Sequence, residues 1–134
     1  DKEYDSNLQN IMFVRNPFTR ERSIFRWKAI IQKDIYENIT FSDYVNSELF
    51  YHEPSFVGTY QNNINLIDKF VHLENITDFL HKTFNITTNY TLDYYIPADD
   101  LDDVSAFDNN MKDRVLDKYA QDIKLIDFNL TSYI

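Results

Sequence analysis

The apolar and polar positions of this chain fall into blocks that predict a strand, a long helix, a second strand and further helices, in that order. Residues 9 to 14, Gln-Asn-Ile-Met-Phe-Val, hold an apolar run too short for a helix, which reads as a buried strand. Arg15-Asn16-Pro17 ends that run. Pro17 suits the first turn of a helix, where its missing N–H costs nothing. The spacing predicts a helix from about Pro17 to Gln32. Phe18, Phe25 and Ala29 fall on one side of it, and Ile24, Trp27 and Ile31 on a neighbouring side, which together make a broad apolar face for packing on a sheet. Thr40, with Asp43 three residues later, has the pattern of a capping box, and it opens a second helix with Phe41, Tyr44, Val45 and Leu49 facing inward. Residues 51 to 65 contain Pro54, Gly58 and an Asn cluster and read as loop. Lys69 to Glu74 reads as a second strand, followed by a short helix from Asn75 or Thr77 through Phe84 and a mostly irregular stretch, 85 to 103. Met111, Val115, Tyr119, Ile123 and Ile126 form an amphipathic stripe, which predicts a last helix from near Ser105 or Asp108 to near Leu125.

This order is an α/β arrangement. Two strands do not make a stable parallel sheet alone, so the expectation is part of a parallel sheet flanked by helices, its remaining strands outside this chain. No internal repeat or low-complexity linker divides the 134 residues, and one domain spanning 1–134 is expected. The chain begins at Asp1 rather than Met, which reads as a fragment or a processed product.

The formal net charge of -9 argues against nucleic acid as a partner, because such a surface must neutralise phosphates. The charge is uneven. Between residues 15 and 28, Arg15, Arg20, Arg22, Arg26 and Lys28 stand against one acid, Glu21, a local +4 that leaves -13 elsewhere. A local cationic site binds a small anion even in an acidic protein, since the local potential decides. The absence of Cys excludes disulfides and thiolate metal sites, and His52, His72 and His81 have no metal-ligand spacing, so no metal is expected. No apolar run approaches 18 residues, so no membrane span is expected. Asn-x-Ser/Thr triplets at Asn38, Asn75, Asn85, Asn89 and Asn129 would matter in a Golgi or secretory lumen and not in the cytoplasm.

Candidate chemistry concentrates at residues 13 to 25, Phe-Val-Arg-Asn-Pro-Phe-Thr-Arg-Glu-Arg-Ser-Ile-Phe. Arg15 leaves the carboxyl end of a strand, the edge where ligands bind in open α/β sheets. Ser23 lies three residues after Arg20, on roughly the same helix face. Arg15 and Ser23 could converge on one anion, the guanidinium offering a fork of donors and the hydroxyl one more. The plainer alternative is that Arg20 and Arg22 are solvated and Arg15 pairs with an acid.

The segment resembles the 3'-phosphoadenosine 5'-phosphosulfate-dependent sulfotransferases, most closely the carbohydrate sulfotransferase branch. That family carries an apolar strand, Arg-Asp-Pro, then Arg and Ser at fixed intervals and often an aromatic two further on. Here the match is Val14-Arg15-Asn16-Pro17, Arg20, Ser23 and Phe25, with Asn16 in place of the usual Asp. Phe70-Val71-His72-Leu73-Glu74-Asn75 with Asp78 is similar to the family's strand ending in Leu-Glu-Asn. Val115 to Ile123, with Tyr119 and Asp122, is similar to its closing helix. The plainer readings are that Glu74 pairs within the domain and that Asp122 caps or pairs on a packed helix.

The resemblance implies a P-loop-NTPase-like sheet and transfer of a sulfuryl group to an acceptor hydroxyl, on a carbohydrate. It implies that Arg15 and Ser23 hold the cofactor's 3'-phosphate, with Arg20 in support. No Gly-rich loop for the 5'-phosphosulfate is present, Gly58 being the one glycine, and the catalytic base stays unassigned among His52, His72 and His81. The amino-terminal strand and phosphate loop are therefore expected outside this chain, and the segment alone is expected to be inactive. Tyr51 and Tyr60 are candidates for stacking on sugar rings. Two alternatives stand beside this reading: a nucleotide-binding or kinase-like α/β protein, and a non-catalytic glycan-binding or interaction domain.

Overall fold

A computed structural model describes residues 9–87 and 104–134. Strand β1, Ile11–Val14, lies parallel to strand β2, Lys69–His72, with Ile11 opposite Lys69 and Val14 opposite His72. Parallel pairing needs a long crossover, and residues 15–68 supply it as a run of helices. The longest is α1, Pro17–Ile31, opened by Pro17 and by the Asn16 side chain, which accepts from Phe18 N. Short helices follow: α2, Lys33–Tyr36; α3, Phe41–Val45; and α4, Phe56–Tyr60. After β2 come α5, Ile76–Phe84, then α6, Asn109–Lys118, and α7, Ala120–Leu125. The protein is thus mixed α/β, mostly helical, with a small two-stranded parallel sheet among the described residues.

Side chains alternate across β1 as a strand requires. Met12 and Val14 are buried, while Phe13 points to the other face and meets the Phe79 ring of α5 edge-on at 6.0 Å. The core lies on the Met12–Val14 face, where Phe18 of α1, Tyr44 of α3 and Met111, Val115 and Tyr119 of α6 and its end pack together. Phe18 stacks on Tyr133 at 4.3 Å, so the chain's last residues close this core. Asn85 ends α5 in the left-handed region, a conformation that Asn tolerates better than most residues.

Several elements differ from their sequence pattern for visible reasons. The stretch 51–65 is not a loop throughout. It contains α4, which forms because Ser55 and Asp122 supply acceptors for its first N–H groups that composition does not disclose, and a 3₁₀ turn over Gln61–Leu66. The second strand stops at His72, and Leu73–Asn75 form a 3₁₀ turn leading into α5. The last helix breaks at Tyr119 into α6 and α7, yet the predicted stripe survives the break: Met111, Val115, Tyr119 and Ile126 are buried and Ile123 is partly so. Leu49 packs inward from a 3₁₀ turn, Glu48–Tyr51, rather than from α3.

Helix α1 rotates its far end away from the expected face. Trp27 and Ile31 are 53% and 52% exposed, and Lys28 is buried instead. The Lys28 stem lies against the core while its ammonium pairs with Glu53 at 3.1 Å. Residues 88–103, part of the stretch expected to be irregular, lie outside the described residues, as does the Asn89 triplet.

Candidate functional site

A cleft of about 660 Å³ opens at the carboxyl ends of β1 and β2. Asn16 and Thr19 line it from the β1–α1 junction, His72, Glu74 and Asn75 from the end of β2, and Asp127 to Tyr133 supply much of the opposite wall. Ligands of open α/β sheets bind at this edge, because loops from neighbouring parallel strands converge there.

Asn16 ties the walls together. Its N–H donates to Glu74 Oε1 at 2.9 Å, and its side-chain amide donates to Asn129 O at 2.9 Å. Its Oδ1 accepts from Phe18 N at 2.9 Å, and its carbonyl accepts from Thr19 Oγ1 at 3.0 Å. One residue therefore caps α1, joins the end of β1 to the end of β2, and holds the carboxyl-terminal segment. Glu74 acts here as an internal acceptor, the plainer of its two sequence readings. The described lining has two carboxylates, Glu74 and Asp127, and no Lys or Arg, with amide and hydroxyl groups of Asn75, Thr131 and Ser132 around the Phe128 and Tyr133 rings.

Of the residues singled out in the sequence, Arg15 and Ser23 are half-buried, Arg15 just after β1 and Ser23 on α1. Neither belongs to the cleft lining. Thr19 and Ser23 are one helical turn apart, so Ser23 continues along α1 from the Thr19 wall. Arg20 turns inward. Its Nη1 donates to Pro54 O at 3.0 Å and to the Tyr119 hydroxyl, and its guanidinium lies 4.6 Å from the centre of the Phe56 ring. The histidines separate. His72 lines the cleft with its ring edge-on to Phe128 at 5.8 Å, while His52 and His81 are exposed and outside it. Tyr51 and Tyr60 are 47% and 43% exposed and are not in the cleft lining.

Beneath α1 lies a charged cluster that the sequence did not disclose. Glu21 is fully buried. Its Oε1 accepts from Lys118 Nζ and from the Tyr119 hydroxyl, both at 2.6 Å, and its Oε2 accepts from the Tyr44 hydroxyl at 3.0 Å. Lys118 also donates to Phe50 O at 2.7 Å. Burial and the Glu21 carboxylate push both phenols above their ordinary pKa, and burial lowers that of Lys118. For Arg20, burial works downward, but the Tyr119 oxygen and Glu21 outweigh it and the pKa is raised. Asp122, also fully buried, accepts from Phe56 N at 2.8 Å and Val57 N at 3.3 Å and so caps α4.

The residues missed were thus Asn16 as a three-way tie, Glu21, and the wall from Asp127 to Tyr133. Only the last left a signal in the sequence, the alternation of apolar Ile126, Phe128 and Leu130 with polar Asp127 and Asn129, and the three apolar residues are buried. Among the described residues no group of His, Asp or Glu is arranged to hold a metal ion, and no helix is long and apolar enough to cross a membrane. No protein-family model matches the chain, and neither a curated protein nor a solved structure is significantly similar to it.

Proposed function

We propose that this chain is the 3'-phosphate-binding part of a sulfotransferase that moves a sulfuryl group from 3'-phosphoadenosine 5'-phosphosulfate to a carbohydrate hydroxyl. One observation carries the reading. The Arg15-Asn16-Pro17 motif stands at the junction between a parallel strand and the helix bearing Ser23, at the edge of the sheet where a cleft opens. In this reading the two strands belong to a larger P-loop-NTPase-like sheet. Arg15 and Ser23 hold the 3'-phosphate. The cleft, with two carboxylates and many amides and hydroxyls, suits an uncharged, hydroxyl-rich part of a ligand rather than a phosphate. Arg20 supports the site from below by fixing the start of α4 and the end of α6.

In the reaction, an acceptor hydroxyl attacks sulfur in line with the bridging oxygen of the departing phosphate. The S–O bond to that phosphate breaks as the new S–O bond forms, and the hydroxyl proton passes to a base. Arg15 and Ser23 position the cofactor away from sulfur, so their contribution to rate is through orientation.

Calorimetry on the 134-residue chain tests the assignment. Adenosine 3',5'-bisphosphate should bind at least about tenfold more tightly than adenosine 5'-monophosphate, and Arg15→Ala should erase the difference, as a charge-assisted contact of about 1.5–3 kcal/mol requires. Equal binding of the two nucleotides would remove the 3'-phosphate site and favour a kinase-like nucleotide binder. A second reading, a non-catalytic glycan-binding domain, is favoured by the cleft's lining, which holds no described Lys or Arg. Binding of neutral oligosaccharides with no nucleotide binding at all would select it.

A further inference from the structure

The buried cluster around Glu21 lies under the helix that carries the proposed phosphate contact. Glu21 and Ser23 are two residues apart on α1, about 200° around its axis, so they occupy nearly opposite faces. Whatever fixes Glu21 on the inner face therefore fixes the roll of α1 and the direction of Ser23 on the outer one. Three donors converge on the Glu21 carboxylate from two other parts of the fold: the Tyr44 hydroxyl from α3, and the Lys118 ammonium and Tyr119 hydroxyl from the end of α6. They engage both carboxylate oxygens, which defines the rotation of the side chain as well as its depth.

An apolar residue would fill this space at lower desolvation cost, since buried ion pairs are often no more stabilising than well-packed hydrophobic replacements. What an apolar contact does not supply is direction. A roll of α1 by about 20° displaces a side-chain oxygen some distance from the axis by on the order of 1 Å, enough to break a hydrogen bond to a phosphate oxygen.

We infer that Glu21 is a positioning residue for the 3'-phosphate site, holding α1 in the one rotation that presents Ser23 to the phosphate. The inference rests on the function proposed above, and the test separates the two. The affinities of adenosine 3',5'-bisphosphate and adenosine 5'-monophosphate are measured by calorimetry for the 134-residue chain and for Ser23→Ala, Glu21→Gln, Tyr44→Phe and Met111→Ala, with thermal unfolding of each. Met111 is a buried core residue of α6 and serves as the control for stability alone.

Glu21→Gln should lower the ratio of the two affinities about tenfold, and Tyr44→Phe, which removes one donor, about threefold, with the monophosphate changing less than about twofold. Met111→Ala should lower the melting temperature and leave the ratio intact. Loss of the ratio in Ser23→Ala, with its retention in both Glu21→Gln and Tyr44→Phe, would overturn the positioning role and leave the proposed function standing. An equal loss of the ratio in Met111→Ala would also overturn it, since general destabilisation would then suffice. No discrimination by the unsubstituted chain would end both. Should Glu21→Gln fail to fold, Tyr44→Phe decides by the same criterion.

Discussion

Asn16 makes a hydrogen bond that an aspartate in its place could not. Its side-chain amide donates to Asn129 O, 113 residues away in sequence, while its Oδ1 caps α1, so the two ends of one small side chain serve two distant segments. Asn16→Asp keeps the cap and sets a carboxylate oxygen against a carbonyl. We expect it to destabilise the fold by about 1–3 kcal/mol in urea denaturation, more than a cap-preserving surface change would. Asp43 behaves oppositely, being needed as a charge. The N–H of Thr40 donates to its Oδ2 at 3.0 Å, and this bond, with the Thr40 side chain, holds the Asp43 pKa below its ordinary value. The folded state thus binds the proton less readily than the unfolded chain does. The contribution is present above the ordinary pKa of 3.8 and is lost as pH falls through the lower folded value. A melting curve followed from pH 6 to pH 2 should flatten in Asp43→Asn relative to the unsubstituted protein.

At the scale of elements, α6 and α7 hold the segment 45–57, from the end of α3 to the start of α4, with charged side chains spaced four apart. Arg114 Nε donates to Val45 O at 2.6 Å and Lys118 Nζ to Phe50 O at 2.7 Å, while Asp122 accepts from Phe56 N at 2.8 Å. Residues four apart share a helix face, so one face satisfies successive main-chain groups that no sheet or long helix would. Lys118→Met should cost about 3 kcal/mol in chemical denaturation, because the buried Glu21 loses its nearer cation and its hydrogen bond and keeps only Arg20, at 3.9 Å. Pairing it with Glu21→Leu should recover part of that loss, a coupling visible in a double-mutant cycle. The same cluster governs alkaline unfolding. The raised Tyr44 pKa means that its contribution is present below the ordinary value of 10.0 and declines as pH rises above it. The lowered Lys118 pKa works the other way, its unfavourable charge being relieved as pH rises toward 10.5. Tyr44→Phe leaves the lysine in place, so melting temperatures between pH 9 and pH 11 should fall less steeply in that variant.

For the molecule as a whole, the sheet is the smallest part and the helices carry the core. Four residues pair on each strand, and the described residues provide no third strand. The 134 residues contain a single glycine and no glycine-rich phosphate loop, and His72 is the one histidine in the cleft lining. Under the proposed function the described cleft lining offers no Lys or Arg to neutralise the transferring sulfuryl centre. Losing such groups typically costs a factor of about a hundred or more each. The 134-residue chain, assayed with labelled cofactor and a panel of glycan and phenolic acceptors, should bind the bisphosphate yet show no turnover above background. Turnover abolished by Arg15→Ala would instead mark a minimal enzyme, and transfer to phenols alone would displace the carbohydrate acceptor.

The sequence by itself determined what depends on neighbours along the chain. The strand before Arg15, the helix opened by Pro17, the Thr40–Asp43 capping box and the stripe from Met111 to Ile126 each follow from spacing and local hydrogen bonding, and each is present. Tertiary structure alone decided the pairings between distant segments. Periodicity placed Trp27 and Ile31 on an inner face, yet Lys28 took that side because Glu53 is there to pair with it. Charge counting made Glu21 one acid among five cations, yet it became the buried centre of a cluster built from α1, α3 and α6. Arg20 matched a motif by spacing and then turned inward, toward Pro54 and Tyr119. A polar side chain is buried only where specific partners meet it, and those partners lie tens of residues away, where no local pattern records them.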